Sequence, residues 1–110
     1  MTNHFAIAFA VVMTQLAAAQ EASSPDLDPN FLEKVLTAVR EAGGTVEGGR
    51  FFLEERGFAC APRENEIFMP HHGAANFVLC QREFPGVRLE VALYHEGRRF
   101  LRGGMKYIPK

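Results

Sequence analysis

Leu53-Glu-Glu-Arg-Gly-Phe-Ala-Cys60 and Phe77-Val-Leu-Cys80 are the stretches whose reading decides the fold. The first reads as a helix end running into a strand. Gly57 falls where a helix closes on a left-handed residue, and Phe58, one further on, is placed to fold back on Leu53. The second reads as a buried strand able to lie beside the first. Cys60 and Cys80 are the only cysteines in the chain. A disulfide between them would bolt a helix layer to a sheet layer. It would close a loop of about 21 residues and contribute roughly 3 kcal/mol on the chain-entropy account. Two unpaired thiols, or half of a metal site, are the competing readings. Neither a Cys-x-x-Cys pair nor a second cysteine pair is present to favour them.

Upstream of this stretch lies the clearest helical pattern. Asp28 can cap, Pro29 suits a first turn, and Glu33 places an acid where the helix dipole favours it. Leu32, Val35, Leu36 and Val39 recur at helical spacing as one apolar stripe, with Phe31 and Ala42 at its margins. Gly43-Gly44 ends it. A second helix is expected over residues 47–56, best ordered beyond Gly48-Gly49. A strand is the rival reading of Phe51-Phe52-Leu53, but Glu54-Glu55-Arg56 breaks the alternation a strand needs.

Downstream, the pattern is that of a meander. Short strands are expected over 58–61, before Pro62, and over 66–69, before Pro70, with His71-His72-Gly73-Ala74 as a loop. A longer strand follows over 76–83, and Phe84-Pro85-Gly86 has Pro and Gly in type II order. Residues 87–95 alternate, with Val87, Leu89, Val91 and Leu93 on one face and Arg88, Glu90 and Tyr94 on the other. Glu96-Gly97 reads as a tight turn into a further strand from Arg98, with Phe100 inward. Gly103-Gly104 reads as making the last piece pliable. The fold class is therefore α+β: two N-terminal helices packed on one face of a three- to four-stranded antiparallel meander, with one disulfide.

Length allows one domain in the 110 residues, and the chain divides into three parts. Residues 1–19 read as a signal peptide. The run from Phe5 to Met13 is apolar, and Ala17-Ala18-Ala19 supplies the small residues a signal peptidase needs, making Gln20 the new terminus. A bilayer-spanning helix takes about 20 apolar residues, so no transmembrane segment is expected in the mature chain. Residues 20–27 read as a flexible linker and 28–110 as the single α+β domain. Export and a cysteine pair together point to a disulfide and to the periplasm or cell exterior.

The formal net charge is −1, which excludes a strongly basic nucleic-acid binder on totals. The charge is unevenly spread, however. Acids outnumber bases before residue 67 and bases outnumber acids after it. From Arg98 onward Arg98, Arg99, Arg102, Lys106 and Lys110 meet no acid. With Tyr107 interleaved, Arg98, Arg99, Arg102 and Lys106 are candidate contacts for a protein or an anionic envelope component. Lys and Arg also protect edge strands, which explains the same residues without a partner.

Two other constellations carry possible chemistry. His71 and His72 could ligate a metal with His95 as a third donor, but the spacings and carboxylate support of such sites are missing. Solvated loop histidines explain them, and no cofactor is called for. Glu90, His95 and Arg98 or Arg99 have the residue types for phosphodiester hydrolysis: a base, an acid and a phosphate clamp. The plainer account makes Arg88, Glu90 and Tyr94 the wet face of an amphipathic strand, with charges paired across strands.

The order helix, Leu53-x-x-x-Gly57-Phe58-x-Cys60, strand, Cys80-x-Arg82, alternating strand resembles small exported bacterial α+β proteins. In layout it is similar to the SmpA/OmlA lipoproteins of outer-membrane assembly, over residues 32–101. The resemblance implies a helix pair on a meander; no functional residue is carried over from it. This chain has no cysteine to acylate after its leader. The expected role is a non-catalytic exported binding or scaffolding module. A small secreted hydrolase using Glu90, His95 and Arg98 or Arg99, and a secreted inhibitor or toxin-like protein, are the alternatives.

Overall fold

A computed structural model of the chain describes residues 28–110. The expected leader (1–19) and linker (20–27) lie outside the described residues. Two helices, α1 (Phe31–Glu41) and α2 (Val46–Glu54), precede four strands: β1 (Ala59–Ile67), β2 (Ala74–Phe84), β3 (Val87–Glu96) and β4 (Arg99–Pro109). A single 3₁₀ turn, Pro70–His72, separates β1 from β2. The strands form one antiparallel sheet in the order β1-β2-β3-β4, so β1 and β4 are its edges. The expected α+β class, helix pair and meander are what the chain adopts.

Both helices end for the same reason. Gly43 and Gly57 take φ of 86° and 88°, a region costly for any residue with a Cβ. At α1, Gly44 donates to Val39 and Gly43 to Arg40; at α2, Phe58 donates to Leu53 and Gly57 to Glu54. These are the paired bonds of a Schellman ending, and they satisfy carbonyls the helices would otherwise leave open. The N-terminal reading needs amendment. Asn30 rather than Asp28 occupies the cap of α1, and the Asp28 carboxylate accepts from the Asn30 N–H at 2.9 Å. That bond holds the Asp28 pKa below the ordinary carboxylate value. Phe31, placed at the margin of the stripe by spacing, is at its centre with Val35 and Val39.

Gly48 and Gly49 lie inside α2, not before its ordered part. Each costs helix propensity, up to about 1 kcal/mol against alanine. Packing explains the expense. A Cβ on Gly48 would collide with that of Ala42, and one on Gly49 would stand 2.8 Å from Val39 and 3.2 Å from Leu93. The helices cross at these two residues, and the close approach lowers α2 onto the sheet. The apolar core between layers runs from Phe31 and Val35 through Leu53 and Phe58 to Cys80, Leu89, Val91 and Leu93. Phe31 stacks on Phe58 with ring centroids 5.8 Å apart.

The sheet departs from expectation in four places. The two short strands expected before Pro70 are one strand, β1, running through Pro62 and bending at a register shift between Arg63 and Glu66. An edge strand tolerates a proline, whose missing N–H can face away from the ladder. The disulfide is present, but Cys60 and Cys80 sit directly opposite one another on β1 and β2, Cα atoms 4.0 Å apart. It joins strand to strand and does not bolt the helix layer to the sheet. The last turn is Gly97-Arg98, one residue later than expected, with Glu96 paired to Arg99. Gly97 has φ of 61° and Arg98 a negative φ, the signs of a type II′ hairpin.

The fourth departure is the largest. The face of β3 carrying Glu90, Ala92 and Tyr94 is not a wet face: these residues are 7%, 0% and 2% exposed. Residues 67–73 fold back over it, and Phe68 packs with Phe77, Ala92 and Tyr94 in a second apolar cluster. Gly103-Gly104 belongs to this arrangement and is no pliable break, because both lie within β4. A Cβ on Gly103 would meet Leu32 of α1 at 3.2 Å, and one on Gly104 would meet the Phe68 ring at 3.3 Å. Consecutive strand residues face opposite ways, so each glycine admits a neighbour crossing its own face.

Candidate functional site

The basic C-terminal strand is positioned by the hairpin from β3. Tyr94 pairs with Arg102 and Glu90 with Lys106, which puts both cations on the face away from the helices. Leu101 is the extra residue at the register shift beside Tyr94 and His95, and it is 48% exposed. The Arg102 guanidinium lies 5.4 Å from the Tyr94 ring centroid, and the Lys106 ammonium 4.3 Å from that of Phe68. Neither makes an ion pair among the described residues. The other expected contacts stand elsewhere. Arg98 is in the turn, where its carbonyl accepts from the Val46 N–H. Arg99 pairs with Glu96 at 3.1 Å, both side chains well exposed, an arrangement worth little in water. Tyr107 pairs with Leu89, which places it on the helix side of the sheet.

Beside Arg102 is an open cavity of about 460 Å³ lined by Ala75, Asn76, Tyr94, His95, Glu96 and Leu101. Tyr94 anchors its neighbourhood, with its hydroxyl 3.0 Å from His72 Nδ1 and the two rings edge to face. Burial raises the Tyr94 pKa, opposed by a hydrogen bond from the Met69 backbone. Loss of water contact lowers that of His72, and the positive charge of Arg102 and the neighbouring His71 push the same way. His72 therefore binds a proton less readily folded than unfolded. Stability should fall as pH drops below the ordinary histidine value of about 6.5, until the folded form protonates too. Melting curves between about pH 7.5 and about pH 5 should show this loss, and His72→Gln should reduce it. An identical pH dependence in the variant would remove His72 from the account.

The residues weighed for hydrolysis are not brought together as a set. Glu90 is five positions from His95 along one strand, about 16 Å at the usual rise. Its carboxylate accepts from Gln81 Nε2 at 2.6 Å and from Arg88 Nε at 3.0 Å, nearly shut off from solvent. His95 Nδ1 is bonded to the Gly97 carbonyl oxygen at 2.9 Å, and Arg99 is turned to Glu96. The His71 and His72 rings are in contact, with centroids 4.3 Å apart. Among the described residues, no group of three His, Cys, Asp or Glu side chains is placed to hold a metal ion.

Sequence reasoning missed a second feature. A cavity of about 390 Å³ runs between α1 and β4, with Leu36, Val39 and Arg40 on one side and Phe100, Leu101 and Gly103 on the other. Leu36 belongs to the apolar stripe of α1, and the one sequence sign of the hollow is Gly103, which draws α1 against the strand. No described helix is long and apolar enough to cross a membrane. Compared with known proteins, the chain matches no family model, no curated protein and no solved structure.

Proposed function

We propose that the protein is a non-catalytic binding or scaffolding module of the periplasm or cell exterior, making contact through the basic strand β4 and the turn before it. The observation that carries this reading is the state of Arg102 and Lys106. Both stand on an edge strand, lean on aromatic rings and make no ion pair among the described residues, and no acid follows Glu96 in sequence. Cations held over rings in this way are placed without being neutralised, which favours an anionic or acidic partner surface. The hydrolase alternative draws no support from the separation of Glu90 and His95. An envelope address draws support from the disulfide, which persists in oxidising compartments.

Two measurements test the reading. Mass spectrometry of the exported protein should show a chain starting at Gln20 and lacking the two hydrogens lost in the disulfide; a chain starting at Met1 would refute export. Capture of partners from an envelope extract should drop about tenfold when Arg98, Arg99 and Arg102 are all replaced by Glu, because reversed charge repels what the native surface attracts. Equal recovery by the folded variant would remove β4 as the contact.

A further inference from the structure

We propose that the outer edge of β4 at Gly103 and Met105, together with the groove between it and α1, takes an extended acidic–apolar segment of a partner protein as a fifth strand. This rests on the binding-module reading and specifies how the contact is made.

The backbone gives the first argument. Lys110 donates to the Gly86 carbonyl, and the β3–β4 register runs unbroken from Val87 opposite Pro109 to Tyr94 opposite Arg102. In an antiparallel ladder residues alternate between pointing their N–H and C=O at the neighbour and pointing them away. Arg102, Gly104, Lys106 and Ile108 therefore bond to β3, while Gly103 and Met105 turn theirs outward. The edge already accepts a partner at its start: Phe100 donates to the Gly44 carbonyl, Arg98 accepts from Val46, and Thr45 forms an antiparallel bridge with Arg99. Beyond Phe100 the chain supplies no continuation of that fifth strand among the described residues.

The two edges differ. The β1 edge is interrupted by Pro62, by its register shift and by Asn65 at φ of 50°, devices that keep other strands off. From Gly103 to Ile108 the β4 edge has no proline and no shift. It has a groove instead, walled by Leu36 and Val39, which a flanking strand's side chains would enter. This is strand addition beside a helix, where backbone bonds give affinity and alternate side chains give specificity.

Side-chain alternation then specifies the occupant. On an added strand every second residue faces the groove of Leu36, Val39 and Phe100 and is best apolar. The residues between face the side where Arg102 and Lys106 stand without ion pairs, and are best acidic. A second copy of this chain would set Arg102 and Lys106 against their own kind, so the charge favours a different protein.

The test uses the oxidised protein and labelled peptides of about ten residues alternating glutamate with Val, Leu, Ile or Phe. Amide exchange at Gly103 and Met105 should slow on binding. N-methylating the peptide residues that face β4 should weaken binding about tenfold or more, while methylating those facing solvent should leave it unchanged. Replacing Arg102 and Lys106 by Glu should weaken it roughly three- to tenfold. Absence of any binder with this alternate dependence, in the whole peptide set, overturns the proposal. Sensitivity to charge reversal without it would leave β4 as a basic contact surface but refute strand addition. A dimer of the protein alone, with Gly103 and Met105 protected, would also overturn it, since a second copy would hold the edge.

Discussion

Replacing Phe68 by alanine should cost about 3–5 kcal/mol, the range for truncating a buried phenylalanine. Domains of this size hold about 5–15 kcal/mol in all, so the loss is between about a fifth of the total and all of it. Phe68 is 5% exposed, and its ring centroid lies 5.8 Å from that of Phe77. It also covers Gly104, whose missing side chain makes its seat. Urea unfolding would measure the loss. Gly104→Val tests the same contact from beneath, because a Cβ there already meets the ring at 3.3 Å and the added methyls would lift Phe68 off the sheet. Losses under about 1 kcal/mol for both variants would mean that residues 67–73 do not close this face.

The same contact explains what could and could not be read from sequence. Residues 87–93 alternate cleanly, and their Val87-Leu89-Val91-Leu93 face does meet the helices. Gly57 and Phe58 marked the end of α2 by local stereochemistry alone, which needs no knowledge of distant residues. The opposite face of β3 had Arg88, Glu90 and Tyr94, a pattern equally suited to water or to a polar interior. Only a segment arriving from 67–73 decides between them, and nothing local announces it. The glycine pairs failed for a related reason. Gly48-Gly49 and Gly103-Gly104 look like breaks when judged by propensity, whereas each accommodates a neighbour at close range. Of the candidate site, the basic residues were legible as a run, but their division between two faces of a strand and a turn depends on the bulge at Leu101. The groove beside β4 is formed by residues some 60 positions apart in sequence, beyond the reach of any local pattern.

Replacing both Cys60 and Cys80 by alanine should lower the melting temperature by roughly 12–24 °C, from about 3 kcal/mol of lost stabilisation at about 4–8 °C per kcal/mol. The loss should show first in β1, because little else holds that strand. Eight of the nine β1 residues are exposed, and Cys60 alone is half-buried. The strand thus adds little apolar area to the core, and its proline and register shift weaken the ladder to β2. Phe58, just before it, is buried with Phe31, which pins only the start. Loss of the covalent tie should therefore free β1 from residue 60 onward before the rest unfolds. Residues 67–73 follow it in the chain, so the cover over Phe77 and Tyr94 should loosen next. Hydrogen exchange on the variant should show Ala61 and Arg63 losing protection first and β3 last. An unchanged melt would mean that the two sulfurs are not bonded in the folded protein. A lowered melt with uniform exchange would mean that the bond acts on the unfolded chain alone, as the chain-entropy account requires, and that β1 is held by its ladder after all.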